Sequence, residues 1–229
     1  DYIGLCEADE RVIIDAGFGF NSYEWSTGET TQTITVTTDI IGAYWVSVTE
    51  DHGTYSCSTT KNFEVVLSNV ATISGFDIKD WTANNNSIEV ILSDTSLGDY
   101  EYSLDNYNYQ DSALFTDLLP GEYTVYVRDK NGCGTASLLI FVMGFSKFFT
   151  PNGDGFNDTW NVKGLASEYV QNTTIFVYDR YGKLIKQLAP NSLGWNGTFN
   201  GNPQTTDDYW YLITLHTGKQ IRGHFSLKR

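Results

Sequence analysis

GAYWVSVTEDHG, residues 42–53, returns twice in altered form: as GEYTVYVRDKNG at residues 121–132 and as DDYWYLITLHTG at residues 207–218. In each copy a tyrosine (Tyr44, Tyr123, Tyr209) opens a run of alternating character, and a glycine (Gly53, Gly132, Gly218) follows nine residues later. Alternation with a period of two is the mark of a half-buried strand. Val46 and Val48 are therefore expected to face a core in the first copy. The glycine supplies the positive φ of the turn that ends the strand. Three such units predict three β domains in tandem.

The rest of the chain agrees with a β reading. Of 229 residues, 41% are hydrophobic and 15% aromatic, enough for packed cores. Thr, Tyr, Val and Ile recur in short alternating runs, which favours strands. No long stretch carries the helical i, i+3, i+4, i+7 spacing. No apolar run is long enough to span a bilayer, and no N-terminal signal peptide is read. The abrupt opening, DYIGLCEADE, reads as a mature product or as the C-terminal part of something longer.

Charge divides the chain. Residues 1–67 carry eleven acids and two bases, net −9; residues 68–143 carry eleven and three, net −8; residues 144–229 carry six and nine, net +3. A shift of this kind marks a domain boundary. The acidic front half argues against nucleic-acid binding, because it would repel phosphates. The expected architecture is all-β: three tandem β-sandwiches at residues 1–67, 68–143 and 144–229. Three cysteines without a CxxC pair argue against a cysteine zinc site. Cys6 and Cys57 bracket the first domain and are expected to form a disulfide, as in an exported protein, leaving Cys133 over.

Catalytic chemistry is sparse. The histidines are His52, His216 and His224. There is no GxSxG, HExxH, phosphate-binding or dinucleotide-binding motif. Asp207 and Asp208 sit beside a turn signal and are expected to face solvent; distance in space, not sequence, would make a glycosidase pair. Neither an enzyme nor a cofactor is expected.

The densest turn chemistry is KFFTPNGDGFNDTW, residues 147–160. With Gly155 at position 6 of an EF-hand loop, Thr150, Asn152 and Asp154 fall at 1, 3 and 5, but Asn161 stands at 12, where Glu is needed. Starting instead at Asn152 puts Phe156 at position 5, and this register fails too. Two readings stay open. One is a nonstandard calcium site built from Asn152, Asp154 and Asp158. The other is a stiff recognition loop, in which Asn-Gly and Asp-Gly tolerate positive φ and Asx side chains bond nearby N–H groups. Pro151 would preset its entry, and Phe148, Phe149, Phe156 and Trp160 would anchor it to a core. Upstream, the tyrosines of residues 100–109 either offer a stacking face for sugars or pack on both faces of a strand.

Three resemblances follow. YEWSTGETTQTITVTT and GAYWVSVTEDHG together resemble immunoglobulin-like repeats of bacterial surface proteins, with Trp25 as the core aromatic. YEYSLDNYNYQDSALFTDLLPGEYTVYVRDKNGC, residues 100–133, resembles repeats of the large cell-surface gliding adhesins of Bacteroidetes. FFTPNGDGFNDTW, IFVYDRYGKLI, GWNGTFNG and DDYWYLITL with GHFSLKR, in that order over 144–229, resemble the gliding-motility-associated C-terminal domain. That family is the type B sorting domain of the type IX secretion system. The match runs through Thr150, Pro151, Asn152, Gly153, Asp154, Gly155, Asn157, Asp158, Trp160, Tyr178, Arg180, Gly182, Trp195, Gly197, Tyr209 and Gly223. It departs at Asn196, often Asp in the family, and at Tyr181, often Trp.

The last resemblance implies a non-enzymatic protein carried to the cell surface or the medium. It implies recognition by the outer-membrane translocon and by an SprF-like outer-membrane partner. Partner contacts are expected at Thr150, Pro151, Asn152, Asp154, Asn157, Asp158, Trp160, Arg180 and Trp195. Strand parity adds Arg222, His224 and Lys228, facing outward beside Arg229, while Ile221, Gly223, Phe225 and Leu227 face inward.

Overall fold

The computed structural model describes residues 1–165 and 170–229, and its described elements are strands and one 3-10 turn at Glu7–Asp9. The front of the chain holds β1 (Tyr2–Cys6), β2 (Arg11–Asp15), β3 (Ser22–Trp25), β4 (Thr33–Thr37), β5 (Gly42–Asp51) and β6 (Ser56–Ser68). The middle holds β7 (Ile73–Lys79), β8 (Asn86–Leu92), β9 (Tyr100–Ser103), β10 (Leu114–Leu118), β11 (Gly121–Asp129) and β12 (Thr135–Val142). The rest holds β13 (Gly144–Phe145), β14 (Phe148–Phe149), β15 (Val162–Lys163), β16 (Thr174–Tyr178), β17 (Leu184–Leu188), β18 (Thr198–Phe199), β19 (Asn202–Pro203), β20 (Asp207–Thr214) and β21 (Gln220–Leu227).

Sheet orders are β1-β6-β5-β3 and β2-β4 at the front, β10-β8-β7 and β12-β11-β9 in the middle, and β14-β21-β20-β16-β17 near the end, with small pairs β13-β15 and β18-β19. The chain folds into two compact units. One comprises residues 1–75, 90–113 and 125–138; the other comprises 76–89, 114–124 and 139–229.

The repeated motif behaves alike in all three copies. Tyr44 and Val46, Val125 and Val127, and Tyr209, Tyr211 and Ile213 are buried, so one parity of each strand faces inward. Gly53, Gly132 and Gly218 have φ of 83°, 89° and 81°, a backbone that a side chain would strain. The three tyrosines share a further feature. Each hydroxyl donates to the carbonyl four residues upstream: Tyr44 to Ile40, Tyr123 to Leu119 at 2.7 Å, and Tyr209 to Thr205 at 3.0 Å. This resembles the tyrosine corner of immunoglobulin-like sandwiches, which ties a strand to the turn before it.

In the first unit, Leu5, Ile14, Trp25, Ile34, Val36, Phe63 and Val65 form a buried core. Tyr44 stacks on Phe63 at 5.8 Å, and Trp25 meets the same ring edge-on at 6.3 Å. The expected Cys6–Cys57 disulfide is not formed. Cys6 bonds Cys133 instead, and Cys57 is free and exposed. The register explains why. β1 runs parallel to β6 and sets Cys6 beside Ser68, whereas Cys57 pairs with Glu50 near the far end of the β5–β6 hairpin. Eleven residues of strand separate Ser68 from Cys57, roughly 36 Å at ~3.3 Å per residue. The turn that follows β11 brings Cys133 to Cys6, with Cα atoms 5.4 Å apart. Beside the disulfide, buried Ser68 donates to buried Asp129 at 2.8 Å.

In the second unit, Phe149, Trp160, Ile175, Val177, Trp195, Tyr209, Tyr211, Ile213, Phe225 and Leu227 are the heart of the core. Trp81 packs against this core although it precedes the charge boundary. Its backbone has φ of 64°, unusual for so bulky a residue. Its N–H donates to the Met143 carbonyl at 2.7 Å, and Thr82 bridges to Gly144. Residues upstream of 144 thus belong physically to this unit.

Candidate recognition surface

The loop of residues 150–158 is held by its own polar groups. The Thr150 N–H donates to the Asn157 carbonyl at 2.7 Å and closes it. The two carboxylate oxygens of Asp158 accept from the N–H groups of Gly153 and Gly155, at 2.6 and 2.8 Å. Those of Asp154 accept from the Phe156 N–H at 2.8 Å and the Asn152 amide at 2.7 Å. These donors, the Phe156 N–H foremost, hold the Asp154 carboxyl below the usual aspartate range. Gly153, Gly155 and Asn157 all have positive φ, which is what the Asx-Gly chemistry provides. Each carboxylate oxygen of Asp154 and Asp158 therefore accepts one donor of the turn. Among the described residues, no three His, Cys, Asp or Glu side chains group as candidate metal ligands.

Anchoring is divided among the flanking aromatics differently from the expectation. Phe149 and Trp160 are fully buried, but Phe156 is 77% exposed and Phe148 partly so. Phe156 does not anchor the loop: it sits at the tip, between two residues of positive φ, and points to solvent. Trp160 stacks on Phe225 with centroids 3.8 Å apart, and its indole N–H donates to the Ser146 carbonyl at 2.9 Å. Trp160 and Trp195 exchange backbone hydrogen bonds of 2.9 and 2.8 Å. The Trp195 indole donates to the Thr198 carbonyl, and its ring meets Tyr209 at 4.7 Å. Trp160 and Trp195, expected as partner contacts, are thus core residues that hold the loop in place.

Pro151, Gly197 and Arg229 meet nearby. A Cβ on Gly197 would lie 2.7 Å from Leu227, 3.1 Å from Arg229 and 3.3 Å from Pro151. The Arg229 guanidinium donates to the Gln204 and Gly197 carbonyls, both at 3.1 Å. It belongs to this junction, not to a free basic stripe.

Arg222 and His224 lie on the outer face of the five-stranded sheet, while Lys228 follows at its end, its N–H donating to the Phe149 carbonyl at 3.0 Å just before the loop. Phe225 and Leu227 point inward as expected. Arg180 pairs with Asp207 and, with Arg222, Trp210 and Leu212, borders a groove of about 460 Å³. The preceding hairpin turns at Asp179–Gly182, where Asp179 accepts from the N–H groups of Tyr181 and Lys183, each at 2.9 Å. Trp210 on this face escaped notice in the sequence, and Tyr178 was singled out only through the family resemblance. Their alternation with Tyr209 and Val177 was the available signal, masked because both parities of these strands are aromatic or apolar.

Residues 143–227 match the family model described as the CHU_C type IX secretion signal domain. A type IX secretion signal marks a protein carried out of the cell. The match covers the aromatic core, the 150–158 loop and the five-stranded sheet. No curated protein sequence matches the chain. Among solved structures, the amphioxus IgVJ-C2 molecule is 14% identical, with a TM-score of 0.30, over 61% of this chain and 99% of that one. The eight N-terminal immunoglobulin domains of Down syndrome cell adhesion molecule are 12% identical, with a TM-score of 0.28, over 100% of this chain and 35% of that one. Three N-terminal domains of the bacteriophage RB49 capsid protein Hoc are 13% identical, with a TM-score of 0.27, over 90% and 88%. The chain is all-β with immunoglobulin-like neighbours. Among the described residues no helix is long and apolar enough to cross a membrane.

Proposed function

We propose that this chain is an export and display segment of a cell-surface protein of the gliding-adhesin kind, from a bacterium of the Bacteroidetes. In this reading, residues 1–67 and 68–143 are immunoglobulin-like spacers. Residues 144–229 are a type B sorting domain, recognised by the type IX translocon and an SprF-like outer-membrane partner. The match of residues 143–227 to the type IX secretion signal family carries the reading. The recurring tyrosine hydroxyl bonds support three similar modules.

The 150–158 loop is the first candidate contact, with Thr150, Pro151, Asn152, Asp154, Asn157 and Asp158 held rigid before binding. A pre-organised loop loses little entropy on docking. The test fuses residues 144–229, with and without residues 68–143, to a periplasm-directed reporter in a gliding bacterium. Reporter in the medium or on the surface is expected; reporter left in the periplasm from both fusions would overturn the reading.

A second reading gives the front modules a ligand. Tyr107 is 87% exposed, and Arg128 lies 3.7 Å over the Tyr109 ring while pairing with Glu101. Exposed aromatic faces of this kind suit sugars. Glycan-array and cell-attachment assays on residues 1–143 separate an adhesive module from a passive spacer.

A further inference from the structure

The outer face of the β14-β21-β20-β16-β17 sheet and the chain just beyond it carry three basic side chains, Arg222, His224 and Lys228, that stand outside any ion pair among the described residues. Elsewhere, Lys61 meets Asp1 at 2.8 Å, Arg128 meets Glu101 at 2.6 Å, and Lys130 meets Asp111 at 2.7 Å. On β21, and at Lys228 just beyond it, the partners are of another kind. Arg222 donates to the Gln220 amide oxygen at 2.9 Å, His224 faces the Trp210 ring at 6.1 Å, and Lys228 sits 4.5 Å over the Phe148 ring. Among the described residues, none of the three has a carboxylate within ion-pair distance. The acid beside them, Asp208, accepts from the Ser226 hydroxyl at 2.6 Å.

Apolar side chains continue the face. The register sets Leu184, Tyr178, Trp210 and His224 in one cross-strand row, and Phe176, Leu212 and Arg222 in the next. Leu184 is 46% and Trp210 42% exposed. The outward face of an antiparallel sheet is ordinarily polar. An exposed Trp beside a half-buried Tyr and an Arg is instead the composition of protein-binding hot spots.

We propose that this face docks an acidic segment of a protein of the type IX export machinery. Apolar side chains of the segment rest on Trp210 and Tyr178, and its carboxylates meet Arg222, His224 and Lys228. The proposal rests on the reading of residues 144–229 as an export signal. Arg222 and His224 are one two-residue step apart, about 6.6 Å along the strand, which matches alternate side chains of an extended segment. The basic side chains form a line one strand wide beside a groove walled by Trp210 and Leu212. Such a line complements a single acidic segment better than the broad plane of an anionic membrane.

The experiment uses the full chain fused to a periplasm-directed reporter in a bacterium that secretes by the type IX route. Arg222→Glu with Lys228→Glu, and separately Trp210→Ala, are expected to lower exported reporter by about tenfold or more. The retained protein stays folded, as judged by protease resistance. Lys163→Glu, an equal kind of charge change on β15, exports as wild type. A photo-crosslinker at Leu212 is expected to join an acid-rich stretch of an outer-membrane translocon protein. Full export of both face variants, or crosslinks confined to acid-poor stretches, overturns the docking surface and leaves the export reading standing. Retention of the wild-type fusion overturns both. Binding of the purified chain to mixed phosphatidylcholine and phosphatidylglycerol vesicles, lost in Arg222→Glu/Lys228→Glu, overturns the protein partner in favour of a membrane.

Discussion

Single residues decide whether the 150–158 loop has a shape. Trp160 is fully buried, stacked on Phe225 and bonded through its indole. Trp160→Ala is expected to cost about 3–5 kcal/mol, and the checking measurement is denaturant unfolding of the full chain. Asp154 makes a subtler contribution. Its carboxyl is held below the usual aspartate pKa of about 3.9, so its support for the loop is complete above that value and fades as pH falls through the lower folded value. Asp154→Asn should therefore flatten the fall in Tm between about pH 5 and pH 2. Each carboxylate oxygen already accepts one loop donor and no third acid, His or Cys groups with them among the described residues, so calcium is expected to give neither heat in calorimetry nor a shift in Tm. This loop was half legible in the sequence. Asx-Gly pairs announced positive φ, but they could not say whether carboxylates face a cation or their own backbone. Nor could hydrophobicity place Phe156, whose exposure follows from backbone geometry at the loop tip.

At the scale of elements, alternation made the strands legible. The tyrosine and glycine nine residues apart located β5, β11 and β20 with the correct inward parity. What the pattern could not convey was the destination of the tyrosine hydroxyl, since a period of two specifies a face and says nothing of a bond to an earlier turn. Tyr209→Phe removes only that bond to the Thr205 carbonyl and is expected to cost about 0.5–1.5 kcal/mol, read by thermal unfolding. Cysteine pairing failed for a related reason. Cys6 and Cys57 are neighbours in the bracketing of a domain, but the parallel register of β1 on β6 keeps them apart, and such a register between distant segments leaves no local mark. The outer face of β20 and β16 was hidden because aromatic residues occupy both parities.

For the molecule as a whole, charge indicated a break near residue 144, whereas packing extends the second unit upstream through Trp81 and residues 114–124. Charge reports solvated surface, and Trp81 carries none. Residues 144–229 alone are accordingly expected to melt lower than the same residues in the full chain, and Trp81→Ala in the full chain should reproduce part of that loss; calorimetry compares the three. The disulfide spans 127 residues of sequence. Replacing both of its cysteines by serine is expected to cost about 5 kcal/mol by the loop-entropy relation, measured as the loss of Tm between oxidised wild type and variant. The same bond alters how the chain bears a pull. Tension applied between residue 1 and residue 229 crosses from Cys6 to Cys133 through sulfur, bypassing everything between. The loop of sequence separation 127 could otherwise pay out about 430 Å of slack at ~3.4 Å per residue step. While the bond is closed that length is withheld, and a force strong enough to unravel the strands between the two cysteines still finds a short, covalent path around them.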